Sequence, residues 1–530
     1  MLEDVPGLAA YACSTCRSQK RKCTKELPAC ALCRKYDRPC NYSTQPPAST
    51  GPPLSEDDVS EKTLALVAGQ PDPETAFPAS FFLDHEFFQA AGHSTPQSTF
   101  KLPPGVANSL LSEEQAHYDV DIYFNSVHTI LPFVSRTRLN QDLSNLQNGL
   151  GADTALLLMA MQLHTQSPCE TEPRDWPKYH SAKESISGIE ARNIFSIRLV
   201  QAAILVAYYE LAHAIFPAAY LSIGHCARLS HAIGLHDRKR APQMLPNPKS
   251  QTEQEERRRV WWVVSILDRF VTIGIPASPP ASEGMRPDEF LPIDEQSWDG
   301  GQLIAGQPLA ISTAVAHQMS PFARTCQSSH LLSRVLRHRD DDYTDMDMDA
   351  DFRYEEALQL HITVNALYVA VTQYAEHLVA SFSDISNHTS HFTATALCLS
   401  ALLSLYDIYA CIESAPVERL RNTKFLEMHR ISLVGLQTAS NAAHRFAMSV
   451  QEIVTAAGQE GLLKTSPLIC DCLYQATTFY LWQLKEVPSN EHTGKVTDIS
   501  TVLQTLGTRW KSPSKSLSKV LLEWLLIRGL

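Results

Sequence analysis

Residues 13 to 40 read CSTCRSQKRKCTKELPACALCRKYDRPC, six cysteines and eight basic side chains in 28 positions, whereas the other 502 residues hold only seven further cysteines. Clustered thiols can ligate metal or form disulfides, and the spacing bears on which. The order is Cys13-x2-Cys16-x6-Cys23, six residues, then Cys30-x2-Cys33-x6-Cys40, so the second half repeats the first at a displacement of 17. A C-x2-C turn brings two thiolates onto one metal, and a third returns six residues later. A structural zinc ion takes four ligands in a tetrahedron. Two ions need eight ligand places, which six cysteines fill only if two thiolates bridge both metals. One ion would leave two cysteines spare and the duplication without a purpose. The near-symmetry points to one bridging cysteine in each half.

Charge is distributed as unevenly as sulfur. The chain carries −12 over 530 residues, but Arg17, Lys20, Arg21, Lys22, Lys25, Arg34, Lys35 and Arg38 against Glu26 and Asp37 make residues 13–40 +6. The remainder is therefore −18, and a small basic module in an acidic chain suits an anionic partner. The first ten residues, MLEDVPGLAA, carry acids where a secretory signal needs bases. The apolar run LVQAAILVAYYELAHAIF contains Gln201, Glu210 and His213 and stops at Pro217, so it reads as a buried core helix and no membrane partner is expected. A reducing compartment follows, in which clustered cysteines are metal ligands.

With no histidine in the segment, classical zinc fingers and most RING patterns are excluded. The stretch resembles the fungal zinc binuclear cluster, the Zn(2)-C6 DNA-binding domain. The resemblance covers all six cysteines, the basic run before Cys23 and Pro28 two residues before the fourth cysteine. It implies two structural Zn²⁺ held by Cys13, Cys16, Cys23, Cys30, Cys33 and Cys40, with Cys13 and Cys30 as bridges. It also implies double-stranded DNA as partner and a helix set in the major groove. Lys20 matches the family lysine that reaches guanine acceptors of a CGG triplet. Arg17, Lys22 and Lys25 match positions that touch the phosphate backbone, and Arg34 and Lys35 stand on the second half with the same expected role. A short helix over Arg17–Lys22 would put residues 17, 20 and 21 on one face, adding Arg21 to that set. Gln19 stands where the family often has a second lysine. Two zinc ions and six thiolates sum to −2, leaving about +4 for phosphate binding.

NYSTQPPASTGPPLSEDDVSEK follows, and its proline pairs among Ser and Thr mark an extended linker. One such module reads about three base pairs, and many relatives dimerise through a coiled coil at this point. Residues 54–100 show no sustained heptads. A homodimer would therefore be weak, use the large domain, or not form.

Beyond residue 110 the spacing is helical. Ser112 and Gln115 fit a capping box, Val120, Phe124, Val127 and Leu131 recur on one face, and Ile223, Cys226, Ser230 and Ile233 precede Gly234 as a helix stop. YFNSVHTILPFVSRTRL, AAYLSIGHCARLSHAIGLHDR and EERRRVWWVVSILDRF resemble, in order, stretches of the fungal-specific transcription factor domain, over roughly residues 115–295. Arg257, Arg258, Arg259, Trp261, Trp262, Asp268 and Arg269 in the third stretch read as core tryptophans and acid-paired arginines before any sensing role. His225, His231 and His236, spaced by six and five, miss the i, i+4 spacing of helical metal ligands and read as packing or surface histidines. Cys470 and Cys472 read as buried thiols. The acidic stretch 339–356 reads as a solvated loop, with an activation segment as the alternative. The apolar C-terminal SKVLLEWLLIRGL reads as a docked helix.

The expected fold class is mainly α: a small N-terminal zinc binuclear cluster module (1–43), a disordered linker (44–105) and a large all-α regulatory domain (106–530). The expected function is a nuclear, sequence-specific transcription regulator of RNA polymerase II type, recognising CGG-like triplets and serving a metabolic or biosynthetic gene cluster. Its further partners would be a coactivator or the transcription machinery, and a small-molecule effector. Basic residues at Lys20–Lys22 or Arg238–Arg240 could serve nuclear import. No nucleotide loop, G-x-S-x-G or H-E-x-x-H occurs, so no enzyme is suggested. The two rivals are a cysteine-rich metal or redox sensor and an enzyme hidden in the helical region.

Overall fold

Helical spacing dominates the chain beyond its cysteine cluster, and in the computed structural model that sequence folds as helices packed on helices. The structure describes residues 9, 12–18, 21–42, 77–93, 95, 113–144, 150–165, 172–237, 240–300, 309–313, 319–341, 350–381, 388–411, 419–516 and 518. Two compact units emerge, Met1–Asp58 and Val59–Leu530.

In the first unit, α1 (Ser14–Ser18) and α2 (Ala31–Lys35) are single-turn helices. Their closest packed neighbours are sulfur atoms. Cys13, Cys16, Cys30 and Cys33 are the buried residues, and Cys23, Leu32, Cys40 and Tyr42 pack around them. So small a core cannot offset the entropy of ordering the chain by apolar burial alone.

The second unit runs α3 (Ser80–Leu83), α4 (His85–Ala90), α5 (Glu113–Phe124), α6 (Val127–Ile130), α7 (Arg136–Ser144), α8 (Ala152–Thr165), α9 (Pro177–Glu190), α10 (Ile197–Ala212), α11 (Ala218–Ala232) and α12 (Gln251–Thr272). It continues with α13 (Glu295–Asp299), α14 (Pro321–Asp340), α15 (Ala350–Ser381), α16 (Phe392–Ala410), α17 (Thr423–Ala457), α18 (Gln459–Leu463), α19 (Cys470–Glu486) and α20 (Asn490–Leu506). Two groups share one hydrophobic core. In the first, α10 packs on α8 and α11; in the second, α16 packs on α14, α15, α17 and α19. Helix α12 touches α10, α11 and α14 and so joins them.

The starts and stops follow local chemistry. Ser196, Ser250, Ser320 and Ser489 each accept the backbone N–H three residues on, opening α10, α12, α14 and α20. Gly234, at φ 82°, closes α11 as expected, with Leu235 N–H returning to the Ser230 carbonyl. Val120, Phe124, Val127 and Leu131 are all buried, although a break at Asn125–Ser126 divides them between α5 and α6. Ser112 of the expected capping box lies outside the described residues.

All of α10 is buried, as its apolar run requires. Helix α16 alone among the described helices is long and apolar enough to cross a membrane, and 83% of that stretch is buried within the protein. One boundary shifts from expectation. Residues 77–93, within the span read as linker, form α3 and α4, and Phe81 and Phe88 enter the main core. The prolines and serines of 41–62 that signalled a linker end before this aromatic cluster, whose five phenylalanines and small helices carry no long periodicity to betray them. The acidic stretch is helical at both ends, in α14 and α15, while residues 342–349 lie outside the described residues, as do 519–530 of the apolar C-terminus.

The third motif stretch lies on α12 and is structural. Arg257 and Arg258 pair with Glu253 and Glu255, and Arg259 pairs with Glu255 at 3.0 Å while donating to the carbonyls of Pro132 and Ile293. Asp268 accepts from the backbone and hydroxyl of Ser282, and Arg269 donates to the Ser282 and Glu283 carbonyls, which staples that loop to the helix. Trp262 is buried and donates to the Phe290 carbonyl at 3.0 Å. Beneath them Glu256, fully buried, receives Arg198, Gln201, the Ser135 amide and Arg138.

Candidate metal centre and nucleic-acid interface

Two halves of the cysteine segment fold alike. Cys16 N–H points to Cys13 Sγ at 3.4 Å, and Cys33 N–H points to Cys30 Sγ at 3.4 Å, so each first cysteine caps its own short helix. Both helices then end the same way. Arg21 N–H returns to the Cys16 carbonyl at 2.9 Å and Arg38 N–H to the Cys33 carbonyl at 3.0 Å, the six-to-one bond of a Schellman turn. Asp37 adopts the left-handed conformation that such a turn demands, φ 48°. Cross-links tie the halves together. Ser14 N–H donates to the Asn41 carbonyl, Ala31 N–H to Thr24 Oγ1, Thr15 Oγ1 to the Pro39 carbonyl and Tyr42 Oη to the Glu26 carbonyl.

These turns converge the sulfurs into two quartets. Cys13, Cys16, Cys23 and Cys30 form one, and Cys13, Cys30, Cys33 and Cys40 the other. Ligand atoms within each lie inside 4.8 Å of one another, and Cys13 and Cys30 belong to both. The edges are 3.8 Å for Cys13–Cys30, 3.7 Å for Cys13–Cys33, 3.6 Å for Cys16–Cys30 and 3.9 Å for Cys23–Cys13. A disulfide would require ~2.05 Å. Tetrahedral zinc with Zn–S of ~2.3 Å spaces its sulfurs ~3.8 Å apart. The donor set thus fits two metal ions sharing two thiolates. All described cysteines are free thiols, against a cystine framework.

Electrostatics make the same demand. Burial pushes the Cys13 thiol far above its ordinary range and the Cys33 thiol up to about 12. At Cys23 burial opposes ionisation too, but hydrogen bonds at the Cys13 and Lys25 backbone outweigh it and bring the thiol down to about 7. Anionic sulfur crowded this closely needs compensating cations. When bound, Zn²⁺ supplies that charge and fixes the fold, while the chain's own helices and turns set where the basic residues stand.

Among the basic residues, Arg21, Lys22, Lys25, Arg34 and Lys35 are exposed. Lys20 lies outside the described residues, and Arg17 is placed by its backbone in α1. Helix α1 begins at Ser14, earlier than the expected 17–22, is described to Ser18, and is over by Arg21, whose N–H returns to the Cys16 carbonyl. Arg21 and Lys22 therefore follow the helix and do not share its face. Arg34 is held at 2.6 Å by Glu26, an exposed pair. Arg38, to which the spacing assigned no role, lines a hollow with Arg21, Thr15 and Tyr36, and its guanidinium carbon stands 5.5 Å from the Tyr36 ring centre. The 17-residue repeat would have found it, since it pairs Arg21 with Arg38. The same repeat pairs Lys20 with Asp37, so the two halves present opposite charge at that place.

The other sequence candidates stay apart. His225 pairs with Glu190 on the surface, His231 and His236 meet edge to face beside Trp261, and Cys470 and Cys472 are buried in the core with thiols raised by burial.

A basic metal-thiolate module followed by a helical domain defines a DNA-binding regulator. The fungal Zn(2)-Cys(6) binuclear cluster domain matches residues 11–49, and the fungal specific transcription factor domain matches residues 120–284. Transcription factor BOA15 of Botryotinia fuckeliana is 36% identical over 186 residues, 34% of this chain and 98% of that protein. The pigment biosynthesis transcriptional activator pigB of Monascus ruber is 25% identical over 292 residues, 50% of this chain and 52% of the activator. The azaphilone cluster-specific transcription factor azaR of Aspergillus niger is 24% identical over 350 residues, 62% of this chain and 72% of the factor. The chain belongs to the fungal transcription factors that join a Zn(2)-Cys(6) binuclear cluster to a fungal specific transcription factor domain. Its cluster domain binds two zinc ions and is of a DNA-binding type, and the two sulfur quartets are arranged for metal binding.

Proposed function

We propose that this protein acts in the nucleus as a pathway-specific regulator of a biosynthetic gene cluster, reading a GC-rich triplet through residues 1–43. The shared pair of sulfurs is the observation that carries the reading, because it fixes two helix-and-turn units at a set spacing around a rigid anionic centre. Lys20 reads guanine edges, and Arg17, Arg21, Lys22, Lys25 and Lys35 contact phosphate. Arg34 does so only by exchanging Glu26 for the backbone. Asp37 in the mirror position disfavours base reading by the second half. The similarity to an activator of pigment biosynthesis and to an azaphilone cluster-specific factor supports the pathway class.

The helical domain, with the helices of 77–93 packed into its core, serves as the regulatory domain, coupling the module to a coactivator. The sequence of 54–100 holds no sustained heptads, so a homodimer is weak, uses the large domain or does not form. Selection from random duplexes by the full-length, zinc-loaded protein tests this. A GC-rich triplet should be enriched, and Lys20→Ala should lose ~1–3 kcal/mol of discrimination at one base. A single triplet marks monomeric binding and two at fixed spacing mark a dimer. Enrichment of no motif, with zinc fully bound, would reject the reading.

A further inference from the structure

Within the helical domain, the ends of α8 and α10 face the turn between α17 and α18 and the residues that follow α20. They line a half-open cavity of about 460 Å³. That volume lies within the ~300–1,000 Å³ common to small-molecule sites. Gly458 makes the α17–α18 turn possible at φ 58°, a conformation side chains rarely tolerate. Val454, Leu462 and Leu463 supply apolar surface, and Trp510 with His213 supplies an aromatic wall, their rings 5.7 Å apart.

Its polar groups are incompletely used. The Arg509 guanidinium lies 4.2 Å over the Trp510 ring and gives one hydrogen bond, to the His164 carbonyl at 3.3 Å, while its Nε is buried without a partner. No aspartate or glutamate lines the cavity among the described residues. Burial lowers the Arg509 pKa to about 10, which leaves it charged at neutral pH. His164 Nε2 lies 2.8 Å from the Leu205 carbonyl, a contact that requires the proton on Nε2. Its Nδ1 is therefore a lone-pair acceptor, and it is buried with no partner. His213 is 6% exposed, and its Nδ1 is likewise unpartnered. Burial pushes these imidazoles down to about 4 and about 3, so both are neutral. Helix C-termini favour cations, but backbone return bonds such as Ile215 to Glu210 and Gly507 to Leu503 take up carbonyls at the ends of α10 and α20. What remains is one uncompensated cation beside an aromatic wall. A half-buried charge and orphaned buried polar atoms cost stability unless something pairs with them.

We propose that this cavity binds a planar aromatic carboxylic acid, its carboxylate on Arg509 and its ring against Trp510 and His213. Carboxylate matches the guanidinium fork, and an aromatic ring suits the wall. Because the walls come from both helix groups, an occupant ties α8 and α10 to α17 and α20, so the site is placed to report a ligand to the whole domain. The inference does not depend on which DNA sequence is read.

The test is isothermal titration of the full-length, zinc-loaded protein with 2-naphthoate and, as a neutral isostere, 2-naphthamide. Saturable one-to-one binding is expected, weaker by ~10-fold or more for the amide, since a charge-assisted pair is lost. Arg509→Met should weaken 2-naphthoate by at least a similar factor, and Leu462→Trp, which fills the cavity, should abolish binding. Absence of saturable binding to the unmodified protein, equal affinity for acid and amide, or no effect of Leu462→Trp would each overturn the site. Helical circular dichroism checks the variants. If Arg509→Met does not fold, the acid–amide comparison on unmodified protein decides. All readouts are taken without DNA, so their failure leaves the transcription-factor reading standing.

Discussion

The zinc module and the helical domain are built on opposite principles. In the module the buried residues are cysteines, and geometry is dictated by ligand distance, so the loss of one shared sulfur removes a ligand from both quartets. In the helical domain the core is an extended set of aliphatic and aromatic side chains from nearly every helix, and no single residue dictates the fold. A metal cluster concentrates its specification in a few named atoms, while a packed core spreads it over many exchangeable ones.

The largest expected effect separates the two regions. Cys13→Ser or Cys30→Ser removes a ligand common to both quartets and should take bound zinc from two per chain to none, with DNA binding lost. Cys23→Ser or Cys40→Ser touches one quartet and should spare more metal. Metal analysis of the purified chains and duplex binding check this, and helical circular dichroism of the large domain should persist in all four. Equal metal loss from all four would remove the distinction between shared and unshared ligands.

Next come the buried groups of the helical domain. Glu256→Ala removes the carboxylate shared by Arg198, Arg138, Gln201 and the Ser135 amide, leaving Arg198 to Asp142 and Arg138 to Glu253, and should cost ~2–3 kcal/mol in denaturant unfolding. Trp262→Ala should cost ~3–5 kcal/mol through the cavity it leaves. Zinc stoichiometry should be unchanged in both.

Acid should act on the helical domain through histidines. Burial depresses His164, His330 and His391 to about 4 and His213 to about 3, whereas in the unfolded chain each titrates near ~6.5. Between those limits the unfolded state binds more protons. The stability is fully present above pH ~6.5 and falls as pH drops toward 4. Urea midpoints measured across that range should decline with acid, and His164→Gln should flatten the decline.

The smallest effects belong to the module's surface. Exposed Arg34–Glu26 should contribute under ~1 kcal/mol, so Arg34→Ala should leave zinc content intact. Lys22→Ala should reduce the log–log salt slope of DNA binding by about 1 if Lys22 neutralises one phosphate.

The cysteine spacing carried the metal count, the shared pair and the symmetry of the halves, because each C-x2-C turn is local and the repeat is printed in the chain. Helix identity was legible too, in the run of α10 and in Gly234 at the end of α11. The extent of α1 was not, because a backbone return bond ends it where the basic run suggests continuation. Nor was the packing of Phe81 and Phe88, whose short helices have meaning only against the core that receives them. Arg509 and His164 stand 345 residues apart, and no local pattern could announce that they meet. Ligand type and local periodicity are properties of neighbouring residues and are written in order along the chain. Cavities, buried ion networks and unpaired polar atoms arise from residues distant in sequence, and only the packed helices decide which of them share one low-dielectric space.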